Sequence, residues 1–140
     1  MARVAGKVVL LTRAADAVVQ ACAQALIDEG AHVALADADA AKAAQAAATL
    51  TGTADSIMSL GKEEAADEGW LQTLAAIETR FGGIDVLVNG PPQILVKSIA
   101  DMTLEDLRDL EESNIVEPWL GLKHGIPTLR KRGGGSIINL

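Results

Sequence analysis

Short apolar runs alternate with longer segments of helical periodicity along the whole chain, and no other feature constrains the fold as much. Val8–Thr12 is a β-branched apolar run, and Ala15–Glu29 then carries Val18, Ala21, Cys22, Ala25 and Leu26 at helical spacing, closed by Gly30. His32–Asp37, "HVALAD", reads as a second strand. Ala40–Leu50 reads as an alanine-rich helix with Asp39 placed to cap it, and Ser56–Leu60 as a weaker third strand. Glu63–Phe81 has acidic first turns (Glu63, Glu64, Asp67, Glu68), which suit the helix dipole, and an apolar stripe of Trp70, Leu74, Ile77 and Phe81. Gly82-Gly83 ends it, and Ile84–Asn89 is the fourth strand, stopped by Pro91-Pro92. A helix begins at Thr103, with Glu105 and Asp106 in its first turn, and a second runs from Asn114 to Arg132. Gly133–Gly135 breaks that helix before a fifth strand, "SIINL".

Strands of four to six residues separated by longer helices imply βαβ units and a parallel sheet. Right-handed crossovers then give an α/β, three-layer αβα, doubly wound sheet of expected order 3-2-1-4-5. No linker or repeat interrupts residues 1–140, so a single domain is expected. The net charge of −7 argues against nucleic acid as a partner. The basic group Lys123, Arg130, Lys131 and Arg132 suits a helix C-terminus instead. One cysteine, Cys22, forbids an internal disulfide, and His32 and His124 lack neighbours at ligand spacing, so no metal site is expected. No run approaches a membrane span, and "VVLL" is short for a signal-peptide core, so the expected location is cytoplasmic.

The segments "GKVVLLT", "HVALAD", "FGGIDVLVN", "NIVEPWLGLKHGIPTL" and "GGGSIINL" occur in an order and spacing that resembles the N-terminal part of a short-chain dehydrogenase/reductase, over nearly all of the chain. The resemblance implies a Rossmann-like domain and NAD as the cofactor, if any. It places the three glycines of the family's phosphate loop at Arg13, Ala17 and Val19, none of which is glycine. Those glycines give a tight turn, close approach to pyrophosphate and close helix packing. Val19 is expected to intrude on the phosphate, and Arg13 to be costly if its φ is positive. The Arg13 guanidinium either meets a phosphate or covers an abandoned site. The resemblance puts the ribose-binding acid at Asp37, which a helix-capping aspartate would also explain, and aligns the family's adenine-contacting aspartate with Ser59, which is not an aspartate. It keeps Asn89 beside the cofactor, with Gly90-Pro91-Pro92 following.

The family's catalytic set is Asn, Ser and Tyr-x-x-x-Lys. Asn114 matches the Asn, as a vestigial relay residue or as a polar residue at a helix break. The Ser, Tyr and Lys fall past Leu140, and the sequence contains no tyrosine, so no catalytic residue and no bound cofactor are expected of this chain itself. Three functions stay open. One is a non-catalytic subunit that supports a homologous, active NAD-dependent dehydrogenase, of hydroxyacyl-CoA type, in a hetero-oligomer. Another is an NAD-dependent short-chain oxidoreductase acting on an alcohol or ketone. The third is a binding or regulatory protein that reuses the cleft. The family assembles through helices that correspond to Leu104–Arg132. There Ile115, Trp119, Leu122, Ile126 and Leu129 form a stripe that can face the core, leaving Val116, Leu120 and Gly121 toward a partner. Trp119 is either anchor of that interface or core.

Overall fold

In the computed structural model, which describes residues 2–62 and 66–140, five strands form one parallel sheet of order β3-β2-β1-β4-β5. The strands are β1 (Val8–Thr12), β2 (His32–Asp37), β3 (Ile57–Gly61), β4 (Val86–Asn89) and β5 (Ser136–Asn139). The order is the expected one. β1 lies at the centre, with Leu10 opposite Ala34 on one side and Leu87 on the other. The period-two alternation of β1 divides the core. Val9 and Leu11 meet Val19 and Ala23 of α1 (Ala17–Asp28) and Ala43 and Ala46 of α2 (Ala40–Thr49). Val8 and Leu10 meet Trp70, Leu74 and Ile77 of α3 (Asp67–Phe81) and Leu120 and Leu129 of α5 (Glu117–Lys131). Both faces are covered, which is why these strands read as continuous apolar runs.

Element boundaries moved where polar groups found specific partners. α1 starts at Ala17 rather than Ala15 because Asp16 takes an extended conformation and accepts a hydrogen bond from Val18 N–H. Asp39 caps α2 through Ala41 and Lys42 N–H, as its position implied. β3 runs one residue later than expected, because Ser56 belongs to a 3-10 turn, Ala54–Ser56. α3 begins at Asp67, and the expected helical residues Glu63 and Glu64 lie outside the described residues. β4 begins at Val86 rather than Ile84; Asp85 precedes it, and its carboxylate accepts from Val8 N–H at 2.9 Å. α4 (Leu104–Glu111) opens with a capping box between Thr103 and Asp106, and a π-turn, Glu112–Val116, joins it to α5.

The orientation of α5 corrects the expected one. Leu120 and Gly121, expected to face a partner, are buried, whereas Ile115 and Ile126, on the stripe that can face the core, are 64% and 40% exposed; Trp119, open between interface anchor and core, is 56% exposed. Of that stripe only Leu129 is buried. Close approach decides the outcome. A Cβ at Gly121 would lie 2.8 Å from Asn89 Oδ1 and 3.0 Å from the Trp70 ring, and one at Gly125 would lie 3.0 Å from Leu87. Glu117, Leu120, Gly121, Gly125 and Leu129 share one helical face. That face fits against β4 and α3 because it carries glycines where a larger side chain would clash. Trp119 keeps the opposite side, beside Val116, which is 38% exposed.

Candidate functional site

Chain crossovers leave β1 toward β2 on one side and reach β4 on the other, so the carboxyl ends of β1 and β4 form the switch point where open α/β sheets hold ligands. The lips of this cleft are the loop after β1, the loop after β4 and the π-turn before α5. Buried Thr12 accepts from Gly90 N–H through Oγ1 at 3.0 Å. Arg13 has φ 58°, the left-handed region that the missing glycine would favour. Its guanidinium crosses the cleft, with Nη1 donating to Pro91 O at 2.6 Å and Nη2 to Ser113 O at 3.1 Å.

At the helix N-terminus that faces this cleft, one N–H is taken by the chain's own carboxylate. Asp16 Oδ1 accepts from Val18 N–H at 2.8 Å, which places a carboxylate where positive partial charge would attract an anion. The expected helix start at Ala15 leaves Asp16 without a role, although an aspartate directly before a helical run is the usual capping signal. Val19 corrects an expectation: it is fully buried between α1 and the sheet and does not project toward the cleft.

Asp37 stands at the end of β2 as expected, with both carboxylate oxygens engaged within the chain. Oδ2 accepts from Ala15 N–H at 3.0 Å and Oδ1 from Asp39 N–H at 3.2 Å. It therefore ties two loops, and Asp39 rather than Asp37 does the helix capping. Ser59 lies inside β3, opposite Leu35, and not after the strand. The position after the strand belongs to Lys62, whose N–H donates to Asp37 O at 2.8 Å.

Asn89 and Asn114 come together around one cavity of about 220 Å³, lined also by Gly90, Ser113, Pro118 and Asn139. Asn89 is buried; its Nδ2 donates to Asn139 Oδ1 at 2.7 Å, while Oδ1, packed on Gly121, has no hydrogen-bond partner among the described residues. Asn114 grips the backbone of Gln93, accepting from its N–H at 2.7 Å and donating to its carbonyl at 2.8 Å. A further polar cluster escaped the sequence reading. The Lys62 ammonium, 4.6 Å from the centre of the Trp70 ring, pairs with the Glu117 carboxylate, and Trp70 Nε1 donates to the other Glu117 oxygen at 3.4 Å. Its only sequence signal is the placement of Glu117 in register with Leu120, Gly121 and Leu129.

A parallel sheet of this order flanked by helices defines a Rossmann-like α/β protein, and likeness to known proteins identifies the family. The short chain dehydrogenase family model matches residues 7–140, and the chain belongs to that family. It is 33% identical over 138 residues to a 3-beta-hydroxysteroid dehydrogenase of Comamonas testosteroni, covering 99% of this chain and 53% of the relative. It is 29% identical over 135 residues to the (2S)-[(R)-hydroxy(phenyl)methyl]succinyl-CoA dehydrogenase subunit BbsC of Thauera aromatica, covering 96% and 54%. The crystal structure of a short-chain dehydrogenase/reductase (glucose/ribitol dehydrogenase) from Brucella melitensis superposes with a TM-score of 0.86 at 26% identity, covering 96% of this chain and 56% of that one. The chain thus spans about half the length of the relatives it matches. Among the described residues, no helix is long and apolar enough to cross a membrane.

Proposed function

We propose that this chain is a non-catalytic member of the short-chain dehydrogenase family that pairs with a homologous, active NAD-dependent subunit, of the hydroxyacyl-CoA type. The observation that carries the reading is the self-satisfied loop after β1. A pyrophosphate needs free N–H groups and positive potential at a helix N-terminus. Here the Asp16 carboxylate has taken Val18 N–H, the Arg13 guanidinium is committed to two carbonyls, and both oxygens of Asp37 are engaged. These residues do not fit a dinucleotide. The pairing half of the proposal rests on the outer face of α4 and α5, where Leu104, Leu107, Ile115, Trp119 and Ile126 are exposed at helical spacing. The name of the Thauera relative, a subunit of a CoA-ester dehydrogenase, is in keeping with a heteromer.

A second reading, an NAD-dependent oxidoreductase with an unusual loop, has Asp37 at the end of β2 and Asn89 and Asn114 around a common cavity in its favour. Calorimetric titration with NAD and NADP separates the two. The first reading expects no dissociation constant below about 100 μM, roughly −5.5 kcal/mol. Tighter binding would hand the site to the second reading.

A further inference from the structure

The strained residue in the cleft has a role that neither reading assigns. We infer that Arg13 is a positioning residue, a brace that fixes the three lips of the cleft relative to one another and thereby the start of α5. The contacts close a ring. Thr12 holds Gly90, Arg13 holds Pro91 and Ser113, and Asn114, next to Ser113, holds Gln93 by both its N–H and its carbonyl. Arg13 is the member that touches two lips at once from the third. A guanidinium suits this task because its planar fork presents several N–H donors in fixed directions, and two backbone carbonyls from different elements can share it.

The surrounding backbone is shaped to the brace. A φ of 58° is a conformation that L residues seldom adopt, and such strain persists only where the surroundings over-determine it. The neighbouring lip leaves no room for a side chain: a Cβ on Gly90 would lie 2.7 Å from Arg13 Cβ and 2.6 Å from Thr12 O. Ser113, which receives the second contact, is buried in the π-turn, one turn before Glu117 and its pairing with Lys62. The brace therefore reaches from the loop after β1 to the root of α5. It belongs to the isolated chain and does not depend on the subunit pairing proposed above.

The test is amide hydrogen exchange read residue by residue on the isolated chain, comparing wild type with Arg13→Asn. Asparagine tolerates the left-handed backbone, so the variant removes the guanidinium without adding strain. Gly90 N–H and Gln93 N–H, which cross the cleft to Thr12 and Asn114, should exchange faster by about tenfold or more, while Val33 and Leu35 in β2 stay within about twofold. Unchanged protection at Gly90 and Gln93, or an equal loss at Val33 and Leu35, would overturn the brace. A variant that does not fold leaves a measurement on the wild type. A braced guanidinium gives separate, slowly exchanging Nη proton signals at low temperature, and a single averaged signal overturns the inference. Pairing with a homologous subunit is measured separately by light scattering, so either proposal can fail while the other stands.

Discussion

Lys62 and Glu117 are 3% and 5% exposed, so each buried charge is stabilised by the other and by the Trp70 indole. Lys62 follows β3 and Glu117 opens α5, so the pair joins these two elements beside the Trp70 ring of α3. Removing the cation alone takes from the buried Glu117 carboxylate the ammonium that faces it. Lys62→Met is expected to cost about 3 kcal/mol, and Lys62→Met with Glu117→Gln to cost less than the single change, because the buried negative charge that faced the ammonium has gone. Urea unfolding of the two variants and wild type measures the coupling. A double variant no better than Lys62→Met alone would mean that the pair is not what holds these elements together.

α4 shows how much of an element is local chemistry. Thr103 Oγ1 accepts from Asp106 N–H at 3.0 Å, and Asp106 Oδ2 accepts from Thr103 N–H at 2.8 Å and from Lys97 Nζ at 2.7 Å. The Lys97 ammonium first, and then the Thr103 N–H, hold the Asp106 carboxyl at about 2, below its ordinary value of 3.8. A carboxyl depressed in the folded state stabilises the fold above its ordinary value, and that contribution is lost as the pH falls toward its folded value. The gap in melting temperature between wild type and Asp106→Asn should therefore be constant above about pH 5 and close between about pH 4 and pH 2. A gap that stays open at the acid end would contradict the assignment. Asp106 lies at the surface, so the effect is small and weakens with added salt.

Across the whole molecule, the two faces of α5 define opposite experiments. Leu120 lies 4% exposed in the core with Trp70 and Leu87, and Trp119 is half exposed beside Lys123 on the outer face. Leu120→Asp places a charge in the core and should unfold the domain, seen as loss of cooperative melting by circular dichroism. Trp119→Asp should leave the melting curve nearly unchanged. If the outer face of α4 and α5 is a pairing surface, it should also lower the mass measured by light scattering for the chain mixed with its homologous subunit. Equal stability losses in both variants would place Trp119 in the core after all.

Alternation of apolar runs and helical segments was enough for the strand order and the layers, because a doubly covered parallel sheet leaves few arrangements for strands of this length. Local chemistry also made the cap Asp39 legible, since it bonds to backbone two and three residues away. What the tertiary structure decided were the relations between distant segments. Which stripe of α5 turned inward depended on Gly121 and Gly125 meeting β4 and Trp70, and the periodicity of α5 is equally good on either face. The long-range partners of Asp37, Asn114 and Arg13 lie 21 to 100 residues away, and no spacing rule reaches them. The fold follows from which side chains avoid water, which each residue carries with it. The site follows from which polar groups then find one another, and that requires the folded backbone.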